Sequence, residues 1–167
     1  METSIRLYSL TYGEIRTYLM AALFVVCNIA LPQLFHLIPQ GGIIFSPLSL
    51  VILVGAYKFG WKTGLLAAVL SPLVNHLITG MPAWDVLQVM TLKLTVLALV
   101  AGLAAQHFKT VSLPLLIGVV LVSKAIGCLG ELLLTGGIEA TIADFTIGWP
   151  GLLLQVIGAW LILKFVH

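Results

Sequence analysis

The sequence contains very little charge. Of its 167 residues only 8% are Asp, Glu, Lys or Arg, whereas 60% are hydrophobic, and the mean hydropathy is +1.15. A soluble domain of this size is about a quarter charged. The low charge and the high hydrophobic content exclude an ordinary water-soluble globular domain, because one small core cannot bury so many apolar side chains. Lipid must solvate most of the surface, and the apolar runs are continuous, which favours helices over a β-barrel.

The sequence also lacks the short motifs of most enzymes and metal-binding proteins. It has no HExxH, no GxSxG and no glycine-rich phosphate loop, and its four histidines are scattered. Its two cysteines, Cys27 and Cys128, form no CxxC motif. The net charge of only +2 argues against a nucleic-acid partner. We therefore expect a chain that is not an enzyme and that holds no cofactor or metal.

Apolar segments separated by Gly, Pro and basic residues predict an all-α membrane protein with six transmembrane helices. Because one crossing needs about 20 residues, the length leaves no room for a separate soluble domain, so residues 1–167 are expected to form a single integral membrane domain. The predicted helices cover about residues 17–38, 43–57, 63–79, 84–106, 113–134 and 147–165.

The distribution of basic residues predicts the orientation of these helices. Six of the eight fall in the amino terminus, the second and fourth loops and the carboxy terminus, which six crossings place on one side: Arg6, Arg16, Lys58, Lys62, Lys109 and Lys164. By the positive-inside rule, both termini are expected to be cytoplasmic.

The remaining two lysines, Lys93 and Lys124, fall inside predicted helices. A charged side chain at that depth is costly unless it meets a partner or water, so it marks a functional site by default. On the fifth predicted helix Lys124, Gly127 and Glu131 share one stripe. If Lys93 lines the same cavity, two amines and one carboxylate would suit an anionic or zwitterionic ligand. The alternative is that these are structural charges, each paired locally.

Other polar and aromatic residues extend the candidate ligand site. Each also has an ordinary structural interpretation: hydrogen bonds between helices account for the polar residues, and a place in the interfacial belt accounts for the tryptophans. These residues are Asn75, His76, Trp84, Trp149 and Gln155.

A stretch in the first half of the chain resembles a known family. From Ser46 to Gly64 it reads SPLSLVILVGAYKFGWKTG, an apolar helix, a short basic turn and the start of a small-residue helix. With the size and the six helices, this stretch resembles the substrate-binding S components of energy-coupling factor (ECF) vitamin transporters. The resemblance implies a six-helix bundle in the bacterial cytoplasmic (inner) membrane, which binds a small vitamin-like molecule with high affinity. In such subunits the ligand lies near the outer surface among helices four to six, where Lys93, Lys124 and Glu131 are expected.

The resemblance also implies partners: a membrane scaffold subunit similar to EcfT, two cytoplasmic ATPase subunits, and the lipid bilayer itself. Two other functions stay open. One is a structural assembly subunit resembling the rod-shape-determining protein MreD, which would need no ligand. The other is a membrane-embedded enzyme that uses Glu131 or His76 as acid or base.

Overall fold

The computed structural model describes residues 3–4, 8, 10–35, 47–137, 142, 146 and 148–165. This part of the chain is helical, with six α-helices and one antiparallel pair of two-residue strands. In chain order the elements are β1 (Thr3–Ser4), α1 (Ile15–Phe35), α2 (Pro47–Phe59), α3 (Trp61–Thr79), α4 (Trp84–Phe108), β2 (Thr110–Val111), α5 (Leu113–Thr135) and α6 (Trp149–Phe165). The helical fold predicted from the sequence is confirmed.

Glycines end two of the central helices. Gly80 and Gly136 follow α3 and α5 in the left-handed conformation, with φ of 72° and 67°. Their N–H groups donate to the carbonyls of His76 and Leu132, which closes the last turn of each helix. The observed bounds of α3, α4 and α5 agree with the predicted bounds to within about two residues, which is the usual uncertainty of helix ends. The predicted ends at residues 38, 43 and 147 lie outside the described residues.

Two helices are long and apolar enough to cross a membrane. They are α4, with 25 residues, and α5, with 23; each is about 35 Å long. Three other segments are apolar but shorter: Ile15–Leu31, Pro47–Phe59 and Trp149–Phe165. Length and composition of the described helices thus make α4 and α5 the candidates for membrane insertion.

The amino-terminal segment, the α2–α3 junction and the α4–α5 connection meet at one end of the bundle. β1 pairs with β2 through the register Thr3 to Val111. The Tyr8 N–H donates to the carbonyl of Lys58 at 2.8 Å, and α6 also contacts β2. We call this end the basic end, since it carries Arg16, Lys58, Lys62, Lys109 and Lys164. Lys58 belongs to the last turn of α2 and is buried rather than lying in an open loop.

The stretch that carries the family resemblance forms a tight helical hairpin. A single residue, Gly60, separates α2 from α3 and has φ 93°, a conformation that side chains rarely tolerate. A Cβ at Gly64 would clash with the Cβ of Ala56. A Cβ at Gly102 of α4 would lie 2.5 Å from backbone atoms of Trp61. The glycines therefore let α2, α3 and α4 approach as closely as their backbones allow.

Candidate functional site

An ion pair joins α4 to α5 inside their apolar contact. Lys93 Nζ lies 2.7 Å from Glu131 Oε2. The side chain of Glu131 is 7% exposed and that of Lys93 is 25% exposed. Both charges are therefore largely removed from solvent, and the short distance makes this a charge-assisted hydrogen bond.

The geometry of two antiparallel helices explains why these residues meet. Lys93 is nine residues into α4, about 14 Å from its first residue, which places its backbone level with Gly127 of α5. Side chains on a helix lean toward that helix's own amino terminus. The Lys93 stem therefore crosses Gly127 and rises toward Glu131, one turn further along α5. A Cβ at Gly127 would lie 3.1 Å from Lys93 Cγ, so the glycine leaves the space that this stem occupies.

The sequence grouped Glu131 with Lys124 on one helical stripe, whereas the structure gives Glu131 an ion-pair partner on a different helix. Lys124 is seven residues before Glu131, about 10 Å along the axis, and it is half-buried. The pairing of Lys93 with Glu131 is the arrangement expected if these charges serve only the structure, each neutralised by a local partner. It also fixes which face of α4 carries Lys93: the face toward α5.

At the end opposite the basic end, His76 and Trp84 lie together across the α3–α4 connection. Their ring centroids are 5.6 Å apart. His76 Nδ1 is 2.7 Å from the carbonyl oxygen of Pro82, and because a carbonyl only accepts, Nδ1 carries the proton of this hydrogen bond. Trp84 is 59% exposed. The histidine thus holds the connection in place and leaves one face of the tryptophan open.

The other candidate residues lie apart from this contact. Asn75 is 7% exposed and sits one turn beyond Ser71, whose hydroxyl accepts a hydrogen bond of 2.9 Å from Asn28 Nδ2. Gln155 is buried on α6, and Trp149, the first residue of that helix, is exposed. Within the described residues, no hydrogen bond or ring contact joins Gln155 or Trp149 to the Lys93–Glu131 pair. The Asn28–Ser71 hydrogen bond joins α1 to α3, as expected of an asparagine within an apolar run that holds helices together.

A groove of about 360 Å³ separates parts of α5 and α6. Its walls are entirely apolar and include Leu113, Ile117 and Leu121 of α5 and Leu152, Leu153 and Ile157 of α6. It offers no polar group that could orient a vitamin-like ligand, so it is not the predicted polar site. Among the described residues, no cluster of three or more His, Cys, Asp or Glu could hold a metal ion.

Comparison with protein-family models, curated proteins and solved structures gives no match to this chain.

Proposed function

We infer that this chain is the substrate-binding membrane subunit of an importer of the energy-coupling factor type. In this proposal the six helices all cross the bacterial cytoplasmic membrane, with the basic end on the cytoplasmic side. The observation that carries the proposal is the Lys93–Glu131 ion pair within the apolar contact of α4 and α5. Ionisable groups at such depth are rare and usually belong to a binding or transport pathway.

The geometry of the pair matches a charged or zwitterionic ligand. Lys93 keeps 25% of its side chain exposed although it already contacts Glu131. An ammonium group has three N–H donors, so Lys93 can hold a ligand carboxylate while it retains Glu131. A ligand that lacks the carboxylate cannot form this additional contact with Lys93 and is expected to bind more weakly.

The remaining elements of the proposal follow from the same arrangement. Lys124 lies on the Glu131 stripe at mid-helix, while His76 and Trp84 lie near the end through which a ligand enters. Asn75, Gln155 and Trp149 remain predicted ligand contacts. A chain without an ATP-binding motif needs partners to drive import: a membrane scaffold subunit and two cytoplasmic ATPases.

A structural assembly subunit resembling MreD is the second candidate, and one observation favours it. The 2.7 Å ion pair is closed, as expected where buried charges serve only to neutralise each other. Such a subunit would retain no small molecule, which separates the two functions experimentally.

The test is mass spectrometry of small molecules that co-purify with the detergent-extracted protein. We expect the wild-type chain to retain one polar metabolite in stoichiometric amount. The double variant Lys93→Met/Glu131→Gln removes both charges and leaves neither partner stranded, so it should fold and lose the metabolite. Lys62→Met is the matched control, because Lys62 lies at the basic end over the rings of Tyr12 and Trp61.

Two outcomes contradict the proposal in different ways. A wild-type protein that retains no small molecule would support the structural subunit. Full retention by the double variant, equal to that of Lys62→Met, would show that a ligand exists but binds elsewhere.

A further inference from the structure

The only two asparagines of the chain, Asn28 and Asn75, lie buried on neighbouring helices. Asn28 of α1 is 0% exposed and Asn75 of α3 is 7% exposed. Asn28 Nδ2 donates to Ser71 Oγ at 2.9 Å. The Oδ1 atoms of both asparagines are buried and have no hydrogen-bond partner among the described residues. A buried carbonyl oxygen without a donor costs free energy, which native proteins avoid by supplying a protein donor or an ordered water.

A further acceptor lies on the same stripe of α3. Ala68, Ser71, Pro72 and Asn75 follow the spacing i, i+3, i+4, i+7, and all four are buried. Proline has no N–H, so Pro72 cannot donate to the carbonyl of Ala68, four residues earlier. The two amide oxygens, the Ser71 hydroxyl oxygen and this carbonyl therefore concentrate hydrogen-bond acceptors in one place.

The acceptors lie within about two turns of α3, and the Asn28 amide is placed among them by its hydrogen bond to Ser71. Ser71 and Asn75 are four residues apart, about 6 Å along the helix axis. Asn28 Oδ1 belongs to the same amide group whose nitrogen contacts Ser71. A bound water needs two to four polar partners, and this group of residues offers that number.

We propose that a single water molecule binds between α1 and α3, where it donates its two hydrogens to Asn28 Oδ1 and Asn75 Oδ1. Water is favoured over a cation because every group in the cluster is neutral, and an uncompensated charge there would be far more costly to bury than a water. The site ties α1 to α3 beside Pro72. This inference stands whether or not the chain binds a transported ligand.

The composition of the chain makes the test direct. Labelling with [15N]asparagine yields only two side-chain amide groups, so the NMR spectrum of the full chain in lipid nanodiscs needs little assignment. We expect cross-relaxation from a long-lived water to both amides. In Asn75→Leu the water loses one acceptor, so the Asn28 amide should lose this transfer. Thr91→Val is the control, because Thr91 lies on α4 and its hydroxyl donates to the Leu87 carbonyl.

Three results would overturn the proposal. The first is the absence of water transfer to both amides in the wild-type chain, a measurement that requires no variant to fold. The second is unchanged transfer to Asn28 in folded Asn75→Leu. The third is a shift of both amide resonances when choline chloride is replaced by sodium chloride at equal ionic strength, which would identify a cation as the occupant.

Discussion

Removing one charge of the Lys93–Glu131 pair should destabilise the fold, whereas removing both together should not. Lys93→Met removes the ion-pair partner of Glu131, whose side chain is only 7% exposed, and the loss of this buried contact should cost about 3 kcal/mol. Glu131→Gln leaves Lys93, whose side chain is 25% exposed. Partial solvation lowers that cost to about 1–2 kcal/mol.

The double variant gives the decisive comparison. Lys93→Met/Glu131→Gln replaces the pair with neutral side chains of similar size, a change that is often close to neutral. We expect its free energy of unfolding to lie within about 1 kcal/mol of the wild-type value. The single costs sum to about 4–5 kcal/mol, so the coupling energy between the two positions should be at least about 3 kcal/mol, at or above the upper end of the range for residues in contact.

The assay is reversible unfolding in mixed detergent micelles, followed by circular dichroism as the fraction of denaturing detergent rises. Glu131→Gln/Lys164→Met is the control pair, because Lys164 lies on α6 with its Nζ 4.7 Å from the ring centroid of Trp160. Its effects should add to within about 0.5 kcal/mol. Additive effects at Lys93 and Glu131, or a Glu131→Gln variant less stable than Lys93→Met, would refute the reasoning.

Two further predictions concern a close backbone contact and the α3–α4 connection. Gly102→Ala places a methyl group 2.5 Å from the Trp61 backbone and should lower the unfolding free energy by about 3 kcal/mol. In the control Gly118→Ala, the new methyl group meets nothing within 4 Å, and the unfolding free energy should rise by about 0.5–1 kcal/mol. Equal melting temperatures for the two variants would contradict the close approach of α3 and α4. His76→Phe keeps an aromatic ring but loses the hydrogen bond to Pro82. We expect the unfolding free energy to fall by about 1 kcal/mol and proteolytic cleavage of the α3–α4 connection to become faster. An unchanged cleavage rate would show that this hydrogen bond does not hold the connection.

Helix positions were predictable because the sequence marks them with residues of known backbone behaviour. Gly80 and Gly136 end helices through the left-handed conformation, and glycine is one of the residue types that separate the predicted helices. The paired strands β1 and β2 were not predicted. Each strand has only two residues, and the pairing of Thr3 with Val111 spans most of the chain, so no local pattern announces it.

Which charged residues are buried could be predicted from the sequence, but which of them form the ion pair could not. Periodicity identified Lys93 and Glu131 as buried charges but grouped Glu131 with Lys124, because a stripe relates residues of one helix only. The contact with Lys93 depends on how α4 and α5 are set along and around each other. The small size of Gly127 and the direction of the lysine stem decide that register, and neither shows in a single-helix pattern.

The position of the ion pair on consecutive helices bears on how this chain is made. Only residues 109–112 separate α4 from α5, so the two partners leave the ribosome within a short time of each other. In a bilayer, a hairpin that enters with its lysine and glutamate already joined presents one neutral group to the lipid, whereas a helix that enters alone presents a bare charge. For these two candidate membrane helices, the arrangement would therefore favour insertion together during biosynthesis.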